Sequence, residues 1–351
     1  MRETFTAGGV AAALPPSYLA LVRSGELHRR AELLAQALRC CRLCPHRCGV
    51  DRFTGAQGVC SSGWQPIVSA YGPHWGEEPP LSGTHGAGNV FFGNCNLRCV
   101  YCQNHVISQN PQQEGRHETT TDALADIMLE LQQRQCHNIN LVSPSHFVAP
   151  IVQSICRGAE KGLAVPIVYN TNAYDGLGTL ELLEGVVDVY LPDLKYHVEK
   201  HALDYSRVKG YPAAARRAIR EMFRQVGPER IHDAHGMLRR GLIVRLLVLP
   251  HGLAGIDASL RFICEELSPQ VAVSVMAQYY PTHLVGGDSR YALLEERVGA
   301  REWDAVMACL DKLGMENGWV QDPNEAPDSY RPDFENRRDP FRLPTTLTSF
   351  P

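Results

Sequence analysis

Between Asn89 and Val320 the sequence switches repeatedly between short aliphatic runs and helical apolar stripes. That alternation restricts the fold more than any other feature, because apolar periodicity is the primary signal of local structure. Candidate strands cover 89–94, 138–143, 166–172, 186–192, 241–249 and 271–278, with helices near 121–135, 148–161, 177–185, 212–226, 256–267 and 300–314. In the first of these helices Leu124, Ile127, Met128 and Leu131 share one face behind a Thr121/Asp122 start, an apolar stripe with a capping signal. Strands separated by helices build a parallel sheet with right-handed crossovers. Six such units make the chain α/β, either an open doubly wound sheet or an incomplete barrel, with functional groups expected at the C-terminal strand ends.

The first strand runs directly into Gly93-Asn94-Cys95-Asn96-Leu97-Arg98-Cys99-Val100-Tyr101-Cys102. Its cysteines are spaced C-x3-C-x2-C. A [4Fe–4S] cube usually takes four thiolates; three in one tight loop leave an iron open for a ligand that is not protein. Tyr101 would shield such a cluster from water. A structural zinc site wants four donors, so a zinc knuckle, or three unrelated thiols, is the alternative.

A second cysteine group precedes the alternation. A helical stripe at Leu27, Ala31, Leu34 and Leu38 runs into Cys41, Cys44, Cys48 and Cys60, spaced C-x2-C-x3-C-x11-C, with Gly49, Gly55 and Gly58 supplying tight turns. Four thiols within twenty residues suit a closed tetrahedral metal site, and both zinc and an iron–sulfur cluster accept that set. Cys40 is the spare, on the last helical turn. Cys136, Cys156, Cys264 and Cys309 stand alone and read as small buried residues.

Charge is nearly balanced, with 34 basic against 38 acidic residues and a net charge of −4. With no basic run, nothing points to nucleic acid or a membrane surface. Leu246-Leu247-Val248-Leu249 is far too short to span a bilayer, and no secretory signal is visible. Clustered cysteines in that setting read as metal ligands rather than disulfides, so a reducing, oxygen-poor cytoplasm is expected.

The chain divides into residues 1–86 (a loosely held Gly/Ala-rich start, the helix, the cysteine-rich metal module and a linker), 87–322 (the barrel) and 323–351 (a polar, Pro-rich tail or strap). Between 59 and 89 the Gly- and Pro-rich stretch around His74, Trp75, Glu77 and Glu78 reads as a linker lying across the barrel, its His, Trp and Glu side chains solvated or, as the alternative, lining a site. Strand ends offer Ser143-Pro144-Ser145-His146, Asn170-Thr171-Asn172, Asp193-Leu194-Lys195, Arg245, His251 and His283. Asp193 and Lys195, two apart, face the same way on a strand and suit either an amino acid zwitterion or each other. At least one of the three histidines is expected to be functional.

The Cys95 loop resembles the cluster-binding loop of the radical S-adenosylmethionine (SAM) enzymes. Asp193-Leu194-Lys195 looks like the D-x-K element by which glycyl-radical-enzyme activases hold the methionine part of SAM. The cysteine run at 41–60, the Gly86–Phe92 lead-in and Asn140–His146 are similar to uncharacterised members of the pyruvate formate-lyase activating enzyme-like branch, over about Cys40 to Val320. The resemblance implies a partial (βα)6 TIM-type barrel, a SAM-bound [4Fe–4S] cluster on Cys95, Cys99 and Cys102, an electron donor, and reductive cleavage of SAM to a 5′-deoxyadenosyl radical. SAM contacts are expected from Tyr101, Asn170, Asn172, Asp193, Lys195 and Arg245, of which the resemblance carries Asp193 and Lys195. A glycyl radical enzyme is the implied protein substrate, with a small molecule or another peptide as the alternative, and an electron-transfer protein as a third reading. Two departures stand out. Ser143-Pro144-Ser145 replaces the Gly-Gly-Glu element that binds the SAM amine in many members, and true activases lack the compact Cys41–Cys60 motif.

Overall fold

The computed structural model describes residues 14–321, 323 and 332–341. The start at residues 1–13, residue 322 and the tail segments 324–331 and 342–351 lie outside the described residues. Nine strands form the sheet: β1 Val68–His74, β2 Ala87–Phe92, β3 Ile139–Val142, β4 Ile167–Thr171, β5 Val189–Pro192, β6 Ile231–His232, β7 Leu238–Leu247, β8 Ala272–Met276 and β9 Gly318–Val320. Their order is β1-β2-β3-β4-β5-β7-β8-β9, with β6 pairing only β7. From β2 to β9 the neighbours on this path run parallel, while β1 and β6 are antiparallel additions. The sheet does not close, as in a partial TIM barrel.

All six expected strands are present. Every residue of β2, β4 and β5 is buried, which follows from helices covering a parallel sheet. The helix Thr121–Gln133 starts where Thr120 Oγ1 accepts the Ala123 N–H at 3.1 Å, and it packs on the helix Val148–Glu160. Outside this layer, the helix Glu26–Ala37 buries Leu27, Ala31 and Leu34 against Val148–Glu160 and leads into the Cys41 loop. Of the four solitary thiols expected to be buried, Cys136 and Cys156 are, while Cys264 and Cys309 are only partly covered.

The segment 59–89 departs from the solvated linker expected there. Its residues Val68–His74 form β1, antiparallel to β2, so this hairpin spans the boundary expected at residue 86. Gly72 and Pro73 disguise the strand, but an edge position tolerates proline. The described part of the tail lies along the outside of β1: Tyr71 N–H donates to Arg337 O at 2.8 Å, and Phe334 and Phe341 pack on Phe91. β9, only three residues long, and β6 were also not anticipated.

Candidate active site

The Cys95 loop leaves β2 through Asn94 in the left-handed region (φ 64°), a conformation that asparagine tolerates better than most residues. Asn94 Nδ2 donates to Ser61 O at 3.0 Å, which fixes the turn. Just before it, a side chain on Gly93 would strike Ile67 and Ser69, so the backbone has to be glycine there. The loop then places Cys95, Cys99 and Cys102 on the wall of a cleft of about 540 Å³. No other cysteine of the described residues lines it.

Each sulfur has a polar neighbour. The Leu97 N–H donates to Cys95 Sγ at 3.4 Å, and Asn172 Nδ2 lies 3.5 Å from the same sulfur. Cys99 Sγ is 3.0 Å from Ser206 Oγ, and Cys102 Sγ is 3.3 Å from Ser108 Oγ. Burial pushes all three thiols above their ordinary pKa, Cys99 to about 11, while the Lys195 charge acts in the opposite sense on each. Desolvation favours the neutral form, so these thiols ionise only when something positive takes the proton's place. Among the described residues no three His, Cys, Asp or Glu side chains converge on a point suited to a single metal ion. Three thiols lining one cleft suit a polynuclear cluster, which gives each thiolate its own iron.

Asp193 and Lys195 sit at the end of β5 and line the same cleft. Lys195 Nζ donates to Asp193 Oδ2 at 2.7 Å. Burial would lower the Lys195 pKa, but Asp193 and Cys99 outweigh it and hold the ammonium charged. Asn170 lines the cleft, and its amide has no partner among the described residues. Asn172 also reaches the cleft, yet its amide is engaged by Asn96 Oδ1 at 2.8 Å, Cys95 Sγ and the Tyr174 N–H. Tyr101 is buried, bonds Tyr196 Oη at 2.7 Å and packs edge-on to Tyr279.

At the far end of the cleft lies a network the sequence did not reveal. Arg245 Nε donates to Glu78 Oε1 at 2.8 Å, and its Nη2 bonds both Glu78 and Glu77. Glu77 also accepts from Asn89 Nδ2 at 2.7 Å and Asn140 Nδ2 at 3.0 Å, and lies 3.0 Å from His74 Nδ1. These glutamates are therefore buried site residues rather than solvated loop. Arg245, expected at SAM, spends its guanidinium on them. Of the three strand-end histidines none lines the cleft. His251 pairs at the surface with Glu296, His283 stacks on His105, and His146 is buried on the other side of the Cys95 loop. Ser206 and Ser108 were missed because nothing local marks a serine that meets a sulfur from a distant segment.

The N-terminal cysteines Cys41, Cys44, Cys48 and Cys60 line one small pocket together. The Val59 N–H donates to Cys48 Sγ at 3.4 Å. Burial pushes Cys44 up to about 12, despite a hydrogen bond from the His46 backbone. Cys40 is exposed and lies outside this pocket.

Among the described residues no helix is long and apolar enough to cross a membrane. Over 316 residues the chain is 26% identical to an uncharacterized protein of Methanocaldococcus jannaschii, covering 85% of this chain and 82% of that protein. The crystal structure of Streptococcus suis SuiB bound to precursor peptide SuiA aligns with a TM-score of 0.44 and 14% identity. That alignment covers 65% of this chain and 47% of that one, so this chain spans about half of SuiB. Residues 89–248 match the family model of the radical SAM superfamily, whose members use a [4Fe–4S] cluster and SAM. Over residues 89–248 the chain is thus similar to that superfamily.

Proposed function

We propose that Cys95, Cys99 and Cys102 ligate three irons of a [4Fe–4S] cluster and leave the fourth to the amino acid part of SAM, making this chain a hydrogen-abstracting enzyme. The observation that carries the reading is the sharing of one cleft by three cysteines, the Asp193–Lys195 pair and the free amide of Asn170. Its volume of about 540 Å³ falls in the range of small-molecule sites. When bound, the cluster and SAM supply a 5′-deoxyadenosyl radical for hydrogen abstraction.

The protein's own residues bind, orient and exclude water. Lys195 favours the ionised form of the thiols and keeps Asp193 poised for the SAM ammonium. Asn170 offers a donor and an acceptor to the nucleoside. Asn172, Ser206, Ser108 and the Leu97 N–H stabilise negative charge on the sulfurs, which eases reduction of a cluster. Tyr101, Tyr196 and Tyr279 keep water from the loop.

For the substrate we favour a small polar molecule over a backbone glycine of a glycyl radical enzyme. Trp75, Pro332 and Phe341 line the cleft together with Glu77, Glu78 and Arg245, and its volume is that of a small-molecule site. After anaerobic reconstitution with iron and sulfide, dithionite and SAM are expected to release 5′-deoxyadenosine from the wild type and none from Cys99→Ala. An electron paramagnetic resonance (EPR) doublet on mixing with a glycyl radical enzyme would overturn the substrate reading alone.

A further inference from the structure

The charges lining the cleft do not balance. Among the described residues Glu77, Glu78 and Asp193 face Lys195 and Arg245 there, with His74 as the one imidazole. Lys195 neutralises Asp193 at 2.7 Å. The surplus carboxylate therefore lies where Glu77 and Glu78 share the single guanidinium of Arg245. Burial would raise the Glu77 pKa, but Arg245 and then His74 outweigh it and keep the carboxyl ionised. With His74 neutral, this part of the cleft holds one uncompensated negative charge on side chains only 6% and 4% exposed. A charge so covered and left unpaired is costly, and an occupant of opposite sign relieves it.

Ser274 gives a second, independent sign of a ligand. It sits beside Arg245 in the β7–β8 register, and both line the cleft. Ser274 is 7% exposed, yet its hydroxyl has no hydrogen-bond partner among the described residues. Buried side-chain hydroxyls are ordinarily paired, and a donor bound in the cleft would complete this one. Trp75, Phe91 and Phe341 line the same cleft, with Phe341 stacked on His74 at 3.7 Å between ring centroids and 5.8 Å from Phe91. Aromatic rings beside carboxylates attract organic cations, because the ring faces are negative. No three metal-ligating side chains converge here among the described residues, which sets an inorganic cation aside.

We infer that Glu77, Glu78 and Ser274 bind a protonated amine of the substrate, which makes that substrate a small organic ammonium ion. Glu78 supplies most of the attraction, since Glu77 is already bonded by His74, Asn89 and Asn140. Ser274 Oγ accepts an ammonium N–H, and the aromatic rings cover the carbon skeleton. Arg245 holds the two carboxylates side by side rather than binding an anionic substrate, because an anion would add to the surplus already present. That the bound amine is the substrate rests on the radical SAM reading; that an amine binds does not.

The test is a ligand-observed NMR titration of the full chain, without cluster or SAM, with benzylamine, benzyl alcohol and benzoate as probes of one shape and different charge. Benzylamine should bind at least about tenfold tighter than benzyl alcohol, the worth of one charge-assisted hydrogen bond, and benzoate should bind most weakly. In Glu78→Gln that preference should fall below about threefold. In Asp193→Asn/Lys195→Met, which removes a neutral pair, it should persist. Ser274→Ala removes only a hydroxyl and should weaken benzylamine roughly 2- to 10-fold, the worth of one neutral hydrogen bond, so the subsite stays testable if Glu78→Gln fails to fold. Equal affinity of the wild type for amine and alcohol, tighter binding of benzoate, or a preference that survives Glu78→Gln overturns the proposal. So does an unchanged benzylamine affinity in Ser274→Ala. Failure of the reconstituted wild type to cleave SAM with dithionite would remove the radical SAM reading and leave the amine preference standing.

Discussion

Arg245→Met withdraws the guanidinium that the buried carboxylates of Glu77 and Glu78 share. The Arg245 side chain is 13% exposed, against 6% for Glu77 and 4% for Glu78. Glu77 keeps His74, Asn89 and Asn140, but the Glu78 carboxylate has no other side-chain partner among the described residues, so most of the cost falls on Glu78. Removing one partner of a buried ion pair costs about 3–5 kcal/mol. Adding Glu78→Gln should recover part of that loss, with a coupling of roughly 2–3 kcal/mol in the double-mutant cycle. The pH dependence should change sign as well. Burial alone would raise the Glu77 pKa, but Arg245 and then His74 outweigh it and hold the carboxyl below its ordinary range. In the wild type this stabilisation is present above the unfolded carboxylate pKa, about 4.3, and fades as pH falls through the depressed folded value. Without the cation, burial lifts the Glu77 carboxyl above the unfolded value. The variant's deficit should then shrink as pH is lowered from 7 toward 5. Urea unfolding of the cluster-free chains, followed by circular dichroism across pH, measures both effects. A variant within about 1 kcal/mol of the wild type, with the same pH profile and no gain from Glu78→Gln, would refute the reasoning.

Lys195→Met should leave the iron content of the reconstituted protein near that of the wild type and weaken SAM binding by calorimetry. Loss of one charge-assisted contact is worth about 1.5–3 kcal/mol, or roughly 10- to 100-fold in affinity. Arg337→Ala removes the cation facing Glu114, which is fully buried and otherwise held by Ser69. The expected destabilisation is about 1–3 kcal/mol, with faster hydrogen exchange at the Tyr71 amide that donates to Arg337 O. Gly58→Ala would set a methyl group 2.6 Å from Cys48 Sγ, so it should destabilise the N-terminal pocket while the iron and sulfide count of the reconstituted Cys95 loop stays near that of the wild type.

The parts of this site that could be read from the sequence are those whose partners are close along the chain. Cys95, Cys99 and Cys102 fall within one loop, and Asp193 and Lys195 share a strand face, so spacing alone brings each set together. The six expected strands were legible because burial on both faces leaves apolar runs such as 167–169 and Val189–Pro192. The Glu77–Glu78–Arg245 network joins residues separated by 167 positions in sequence, and no local pattern encodes that meeting. β1 escaped notice because Gly72 and Pro73 read as turn residues, while an edge strand needs neither continuous hydrogen bonding nor a clean alternation. Ser206 reaches Cys99 from the end of the helix Glu199–Ser206, a contact fixed only by how that helix packs. His146 was legible as a strand-end residue, but its burial against the N-terminal pocket was not. The polypeptide's turn after β3 decides that direction.

The central claim is tested most directly by electron–nuclear double resonance on the reduced protein mixed with SAM carrying ¹⁵N and ¹⁷O in its amino acid part. Both labels should couple to the spin of the cluster held by Cys95, Cys99 and Cys102, in wild type and in Cys44→Ser/Cys48→Ser alike. A fully loaded cluster that shows no coupling to either label would mean that all of its irons are already coordinated without SAM.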